Sequence, residues 1–152
     1  MKFLAAMISK FDALTLRSST DEDLRQREKE FMAEALLYNN TVNRSVNEAY
    51  DSIDAKATAI LQHVSIMIAV SGLLYTQATS SVFRFFFMGE MLLYVVLALF
   101  CLRLLMAQHM SPSYSETKNV VAKEAVLDLT AKFTFLISVA LVFTVVAEVV
   151  AK

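Results

Sequence analysis

The stretch from Tyr50 to Thr76, YDSIDAKATAILQHVSIMIAVSGLLYT, constrains the chain more than any other. Its first third is charged and patterned as a helix. The rest is apolar and long enough to cross a hydrocarbon core. The whole reads as one helix passing from water into a membrane. Backbone N–H and C=O groups find no partner in lipid, so a helix is the form a single segment must take there. Composition agrees. Of 152 residues 57% are hydrophobic, and 2 Gly and 1 Pro supply too little turn chemistry for a many-stranded sheet. The expected fold class is therefore all-α: an integral membrane helical protein with three transmembrane helices and a long N-terminal cytoplasmic helical region.

Three regions are expected: an amphipathic N-terminal helix over 1–17, a cytoplasmic helical stalk over 18–56, and a membrane domain over 57–152. In the first, Phe3, Leu4, Met7, Ile8, Phe11 and Leu14 share one helix face. Lys10 and Asp12 interrupt the apolar run, which is unlike a signal peptide. Such a helix either packs on protein or lies at a membrane surface with Lys2 and Lys10 among the headgroups. Ser19 or Thr20 can cap the next helix, with Asp21, Glu22 and Asp23 in its first turn. A narrow apolar stripe follows from Leu24 through Phe31, Val46 and Ile53 to Ile60, with a break expected near Asn39, Asn40 and Thr41. So narrow a stripe must fold back as a hairpin or meet another chain. The spans are expected at about 57–75, 85–107 and 133–150, with a polar turn at 76–81 and an amphipathic helix from Lys118 to Lys132 leading into the third.

Basic residues orient the chain. Eight precede the first span, Arg84 alone lies between the first two, and Lys118, Lys123 and Lys132 precede the third. The positive-inside rule then puts the N-terminus and second loop in the cytoplasm, in a multi-pass protein of the cell inner membrane. With Arg103 counted inside, the 14 basic residues divide into 12 inside and 2 outside. A net charge of −1 gives no field for nucleic acid.

No enzyme, cofactor or metal site is expected. Both glycines, Gly72 and Gly89, lie in spans and make no phosphate loop. One cysteine, Cys101, and 2 histidines are too few for a transition-metal site in one chain, and Cys101 reads as a buried packing residue. The informative side chains are ionisable groups inside spans: His63, Glu90, Arg103 and Glu148. They either pair to fix helix register or build an ion or proton pathway. His63 and Gln62 are placed to meet Arg103 or Asp54, and on the far side either Arg84 meets Glu148 or Glu90 meets a polar partner, with Glu90 the first choice for a functional acid. Asp51, Asp54 and Lys56 form a collar at the membrane entry, solvated or paired with Lys118 or Lys123. Phe83, Phe85, Phe86 and Phe87 read as an interfacial aromatic anchor, or else as a constriction.

The segment from Asn43 to Leu61, NRSVNEAYDSIDAKATAIL, brings Asp54, Lys56 and Ala57 together as D-x-K-A at the start of the first span. In this it resembles the transmembrane effector domain of bacterial Pycsar anti-phage systems, over about Asn43 to Met106. The resemblance implies membrane disruption or depolarisation upon signalling, with arrest of the infected cell. No cyclic-nucleotide-sensing domain is legible, so a signal is expected from a partner or through the N-terminal helices. Two functions follow: an oligomeric membrane effector or channel whose cytoplasmic helices regulate permeability, or a non-catalytic accessory subunit of a larger membrane complex. The expected partners are the lipid bilayer and either further copies of the chain or that larger complex.

Overall fold

The computed structural model describes residues 21–37, 42–106 and 115–151. The expected N-terminal amphipathic helix, the cap at Ser19 or Thr20 and the break at 39–41 lie outside them. The described residues form four helices: α1 (Asp21–Leu37), α2 (Val42–Gln77), α3 (Ser81–Met106) and α4 (Glu116–Val150). Three of them, α2, α3 and α4, are long and apolar enough to cross a membrane, so the chain is a multi-pass membrane protein by length and composition.

Two expected boundaries move. Thr76 and Gln77 belong to α2, so the turn before α3 shrinks to 78–80. An i→i−4 bond from the Ala78 N–H to the Leu74 carbonyl (2.9 Å) carries helical pairing into it. The segment from Lys118 and the third span are one unbroken helix, because no Gly or Pro interrupts 116–150.

The chain divides into two compact units, Met1–Ile53 with Ala107–Val126, and Asp54–Met106 with Leu127–Lys152. In the first unit, Leu24, Ala35, Val46, Val120, Val121, Ala122 and Val126 are buried. Ser115 caps α4, its Oγ accepting the Lys118 N–H at 3.2 Å. That same hydroxyl donates to Glu28 Oε1 at 2.7 Å, and the Thr117 hydroxyl donates to the same oxygen at 2.5 Å. A carboxylate on α1 thus sits over the positive end of α4. Nearby, Lys123 lies 4.9 Å from the ring centre of Tyr50, a cation–π contact at a lysine that is 4% exposed.

The second unit is a three-helix seam. On α3 the buried residues are Phe87, Glu90, Tyr94, Leu97, Cys101 and Leu104, spaced 3, 4, 3, 4 and 3. On α2, Ala57, Val64 and Ser71 are buried at steps of 7, with Ile60, Met67 and Leu74 partly buried between them. On α4 the buried set is Leu127, Thr130, Thr134, Ile137, Leu141 and Glu148. A repeat of alternating threes and fours keeps one face of a helix on its neighbour through slight supercoiling. Away from the seam, α3 and α4 expose Phe85, Phe86, Leu92, Leu93, Phe135, Leu136 and Phe143, side chains suited to acyl chains. The outward side of α2 differs. Ala55, Thr58, Gln62, Ser65, Ala69, Gly72 and Thr76, spaced 3, 4, 3, 4, 3 and 4, make a small and polar line beside Ile66, Val70 and Leu73. All are exposed except Gly72, which is half-buried.

Candidate functional site

Polar groups inside the second unit gather in two places, and α4 supplies the partner in both. At the first, Ser138 Oγ donates to the Thr134 carbonyl (2.9 Å) and accepts from the Tyr94 hydroxyl (3.0 Å). His63 Nε2 lies 3.0 Å from the same oxygen. A hydroxyl has one hydrogen and two lone pairs. With its hydrogen on Thr134, Ser138 accepts from both Tyr94 and His63, which places the imidazole hydrogen on Nε2. A Ser–His contact is also the spacing of a nucleophile and its base. Here the hydrogen runs from His63 to Ser138, so the contact bridges α2, α3 and α4 without activating the hydroxyl.

At the second place, Glu90 is 8% exposed. Its Oε1 accepts from Thr144 Oγ1 at 2.8 Å, while Oε2 is buried with no hydrogen-bond partner among the described residues. Ser71 Oγ, on a residue with 0% exposure, is likewise unpartnered there. Beyond them lies the 78–80 turn. Glu148 Oε1 accepts the Thr79 N–H (3.3 Å), and Arg84 Nε donates to the Ala78 carbonyl (3.0 Å). An acid and a base thus hold one short turn through its backbone.

Several placements differ from the sequence expectations. His63 meets Ser138, which also receives the Tyr94 hydroxyl, and not Arg103 or Asp54, because α4 brings a hydroxyl to its level. Arg103 stands half-buried in the last turn of α3. In the collar, Asp51 and Lys56 are exposed, and Asp54 is half-buried with Oδ1 unpartnered among the described residues. Lys123 lies against Tyr50, an aromatic partner that charge matching did not suggest. The phenylalanines divide: Phe85 and Phe86 are exposed, whereas Phe87 is fully buried with Phe83 packed beside its cluster. Cys101 is buried, as expected. Among the described residues no group of three or more His, Cys, Asp or Glu is placed to hold a metal. Ser138, Thr144 and the Glu28–Ser115–Thr117 contact were missed, although Thr130, Thr134 and Ser138 stand four apart in an apolar run, a hydroxyl line that the sequence displays.

Glu28 lies outside the spans. Burial raises its pKa, but the hydrogen bonds from Thr117 and Ser115, with Lys118 and Arg25 nearby, outweigh that and hold it below its ordinary 4.5. The sign follows: a lowered carboxyl favours the folded contact above 4.5, and that contribution disappears as pH falls through the folded value. Amide exchange in α1 should therefore speed up on acidification below that value in the wild type. In Glu28→Gln it should already be fast at neutral pH and show less pH dependence beyond the intrinsic chemistry.

No family model, curated protein or solved structure matches the chain.

Proposed function

We propose that the protein is a homo-oligomeric membrane effector, channel-like in action, whose N-terminal helices regulate the permeability of a bacterial inner membrane in anti-phage defence. The observation that carries this is the outward side of α2. Small and polar side chains on a lipid-facing helix permit close helix approach and supply interhelical hydrogen bonds. Ser65 and Thr76 return their hydroxyls to the Leu61 and Leu73 carbonyls, whereas the Gln62 amide has no partner among the described residues. An amide facing acyl chains is costly, and a second α2 satisfies it symmetrically. The lysine and arginine distribution supports a cytoplasmic N-terminus, and the D-x-K-A resemblance supports the defence role.

Gly72 gives the test its control. A Cβ built there meets nothing within 4 Å, so Gly72→Leu fits the single chain but obstructs a close neighbour. Light scattering in mild detergent should show a homo-oligomer for wild type and a smaller species for Gly72→Leu. Expression in cells carrying a voltage-sensitive dye should depolarise the membrane with wild type and not with the variant. A monomeric wild type, or one isolated only with a different protein, would sink the homo-oligomer and favour the accessory subunit.

A further inference from the structure

Besides Asp54 Oδ1 at the start of the second unit, two buried oxygens there have no partner among the described residues: Ser71 Oγ on α2 and Glu90 Oε2 on α3. Both residues are more than nine-tenths buried, at 0% and 8% exposure. Their depths can be compared from the short turn joining the helices. Ser71 stands six residues before Gln77 and Glu90 nine residues after Ser81, so at about 1.5 Å per residue the two Cα levels differ by roughly 5 Å. Helical side chains lean toward the N-terminus of their own helix. In antiparallel α2 and α3 this tips Ser71 inward and Glu90 outward, toward a common level. Thr144 approaches Glu90 there from α4.

A buried carboxylate needs a compensating positive charge, and its Oε2 and the Ser71 hydroxyl both have lone pairs to offer.

We propose that Glu90 and Ser71, with Thr144, bind a small monovalent cation, either a proton or Na+, within the three-helix unit. Oε2 of Glu90 is the primary ligand, Ser71 Oγ closes the site from α2, and Thr144 orients the carboxyl by its bond to Oε1. The other ionisable groups nearest along the three helices are His63 on α2, Glu148 on α4, and Arg84 and Tyr94 on α3 itself. His63 and Tyr94 are tied to Ser138, while Arg84 and Glu148 hold the 78–80 turn, so Glu90 is the acid left to bind the ion. The site gives the permeability reading an ion to sense or pass and rests on it for that role only. Binding itself needs neither the oligomer nor depolarisation.

A hydrophobic carbodiimide, which couples to protonated carboxyls in membranes, tests the site on the full-length protein in liposomes, read by peptide mass. Wild type should be labelled at Glu90, and Glu90→Gln should lose that adduct. If the bound cation is Na+, NaCl should slow labelling about tenfold relative to choline chloride at equal ionic strength, and Ser71→Ala should remove the protection. If it is a proton, the two salts should act alike, labelling should fall as pH rises, and Ser71→Ala should shift that profile. Failure to label Glu90 at every pH in choline would overturn the site. So would a Ser71→Ala profile superimposable on wild type in both salts. Intact labelling in a protein that leaves the dye signal unchanged would retain the cation site and reject the permeability role.

Discussion

Tyr94→Ala is expected to destabilise the second unit more than any other single truncation there. Tyr94 is the largest fully buried side chain, at 0% exposure. It stands between Glu90 and Leu97 on the α3 seam, and its hydroxyl reaches Ser138 on α4. Large-to-small changes at buried aromatic positions cost about 3–5 kcal/mol in soluble cores. In lipid the transfer part shrinks, because acyl chains are as apolar as leucine. The cavity and the lost dispersion contacts remain, so about 3 kcal/mol is expected in reversible unfolding from mixed micelles with an anionic detergent. Tyr94→Phe keeps the ring and should lose only about 0.6 kcal/mol, an average membrane hydrogen bond. Phe135→Ala, at a ring 72% exposed, should change stability by less than about 0.5 kcal/mol. Equal losses from Tyr94→Ala and Phe135→Ala would mean that α3 does not pack as described.

Ala57→Leu is the second large effect. Ala57 closes the D-x-K-A segment and is 0% exposed, one seam step before Ile60. A small residue there lets a neighbour approach the α2 backbone, and three extra carbons should cost about 1–3 kcal/mol by overpacking. Lys56, next in sequence, points to solvent or headgroups, and Lys56→Ala should stay within about 0.5 kcal/mol. Melting both variants in detergent separates packing from recognition. A larger effect at Lys56 than at Ala57 would assign the motif to ligand or partner recognition.

The three long apolar helices were legible from length and hydropathy, whereas the seam, displayed as buried positions at threes and fours, was not read beyond Ile60. Once Leu97, Cys101 and Leu104 are read as one face of α3, the placement of Phe87, Glu90 and Tyr94 follows from spacing alone. The phenylalanine cluster misled for a related reason. Phe85, Phe86 and Phe87 are consecutive, and a helix turns about 100° per residue, so they cannot share an environment. Partner choice was the illegible part. His63 was matched to charges on its own side of the bilayer, yet it is held by the neutral Ser138 on α4. Which face α4 turns toward α2 depends on the packing of three helices together, not on any one periodicity. Lys123 was matched to carboxylates for the same reason and lies against the face of Tyr50.

The position of Thr144 also bears on how the chain is made. Glu90 lies in the second of the three described spans, and the hydroxyl that serves its Oε1 lies in the third, which is synthesised after it. Ser138, which receives both His63 and Tyr94, also arrives with that third span. During synthesis, therefore, a two-span hairpin exists with an acid, an imidazole and a phenol that still lack these partners. An insertase or a membrane protease can recognise such a hairpin by those exposed groups. Nascent chains stalled before α4 should be held or degraded, and release from quality control should coincide with the integration of Ser138 and Thr144.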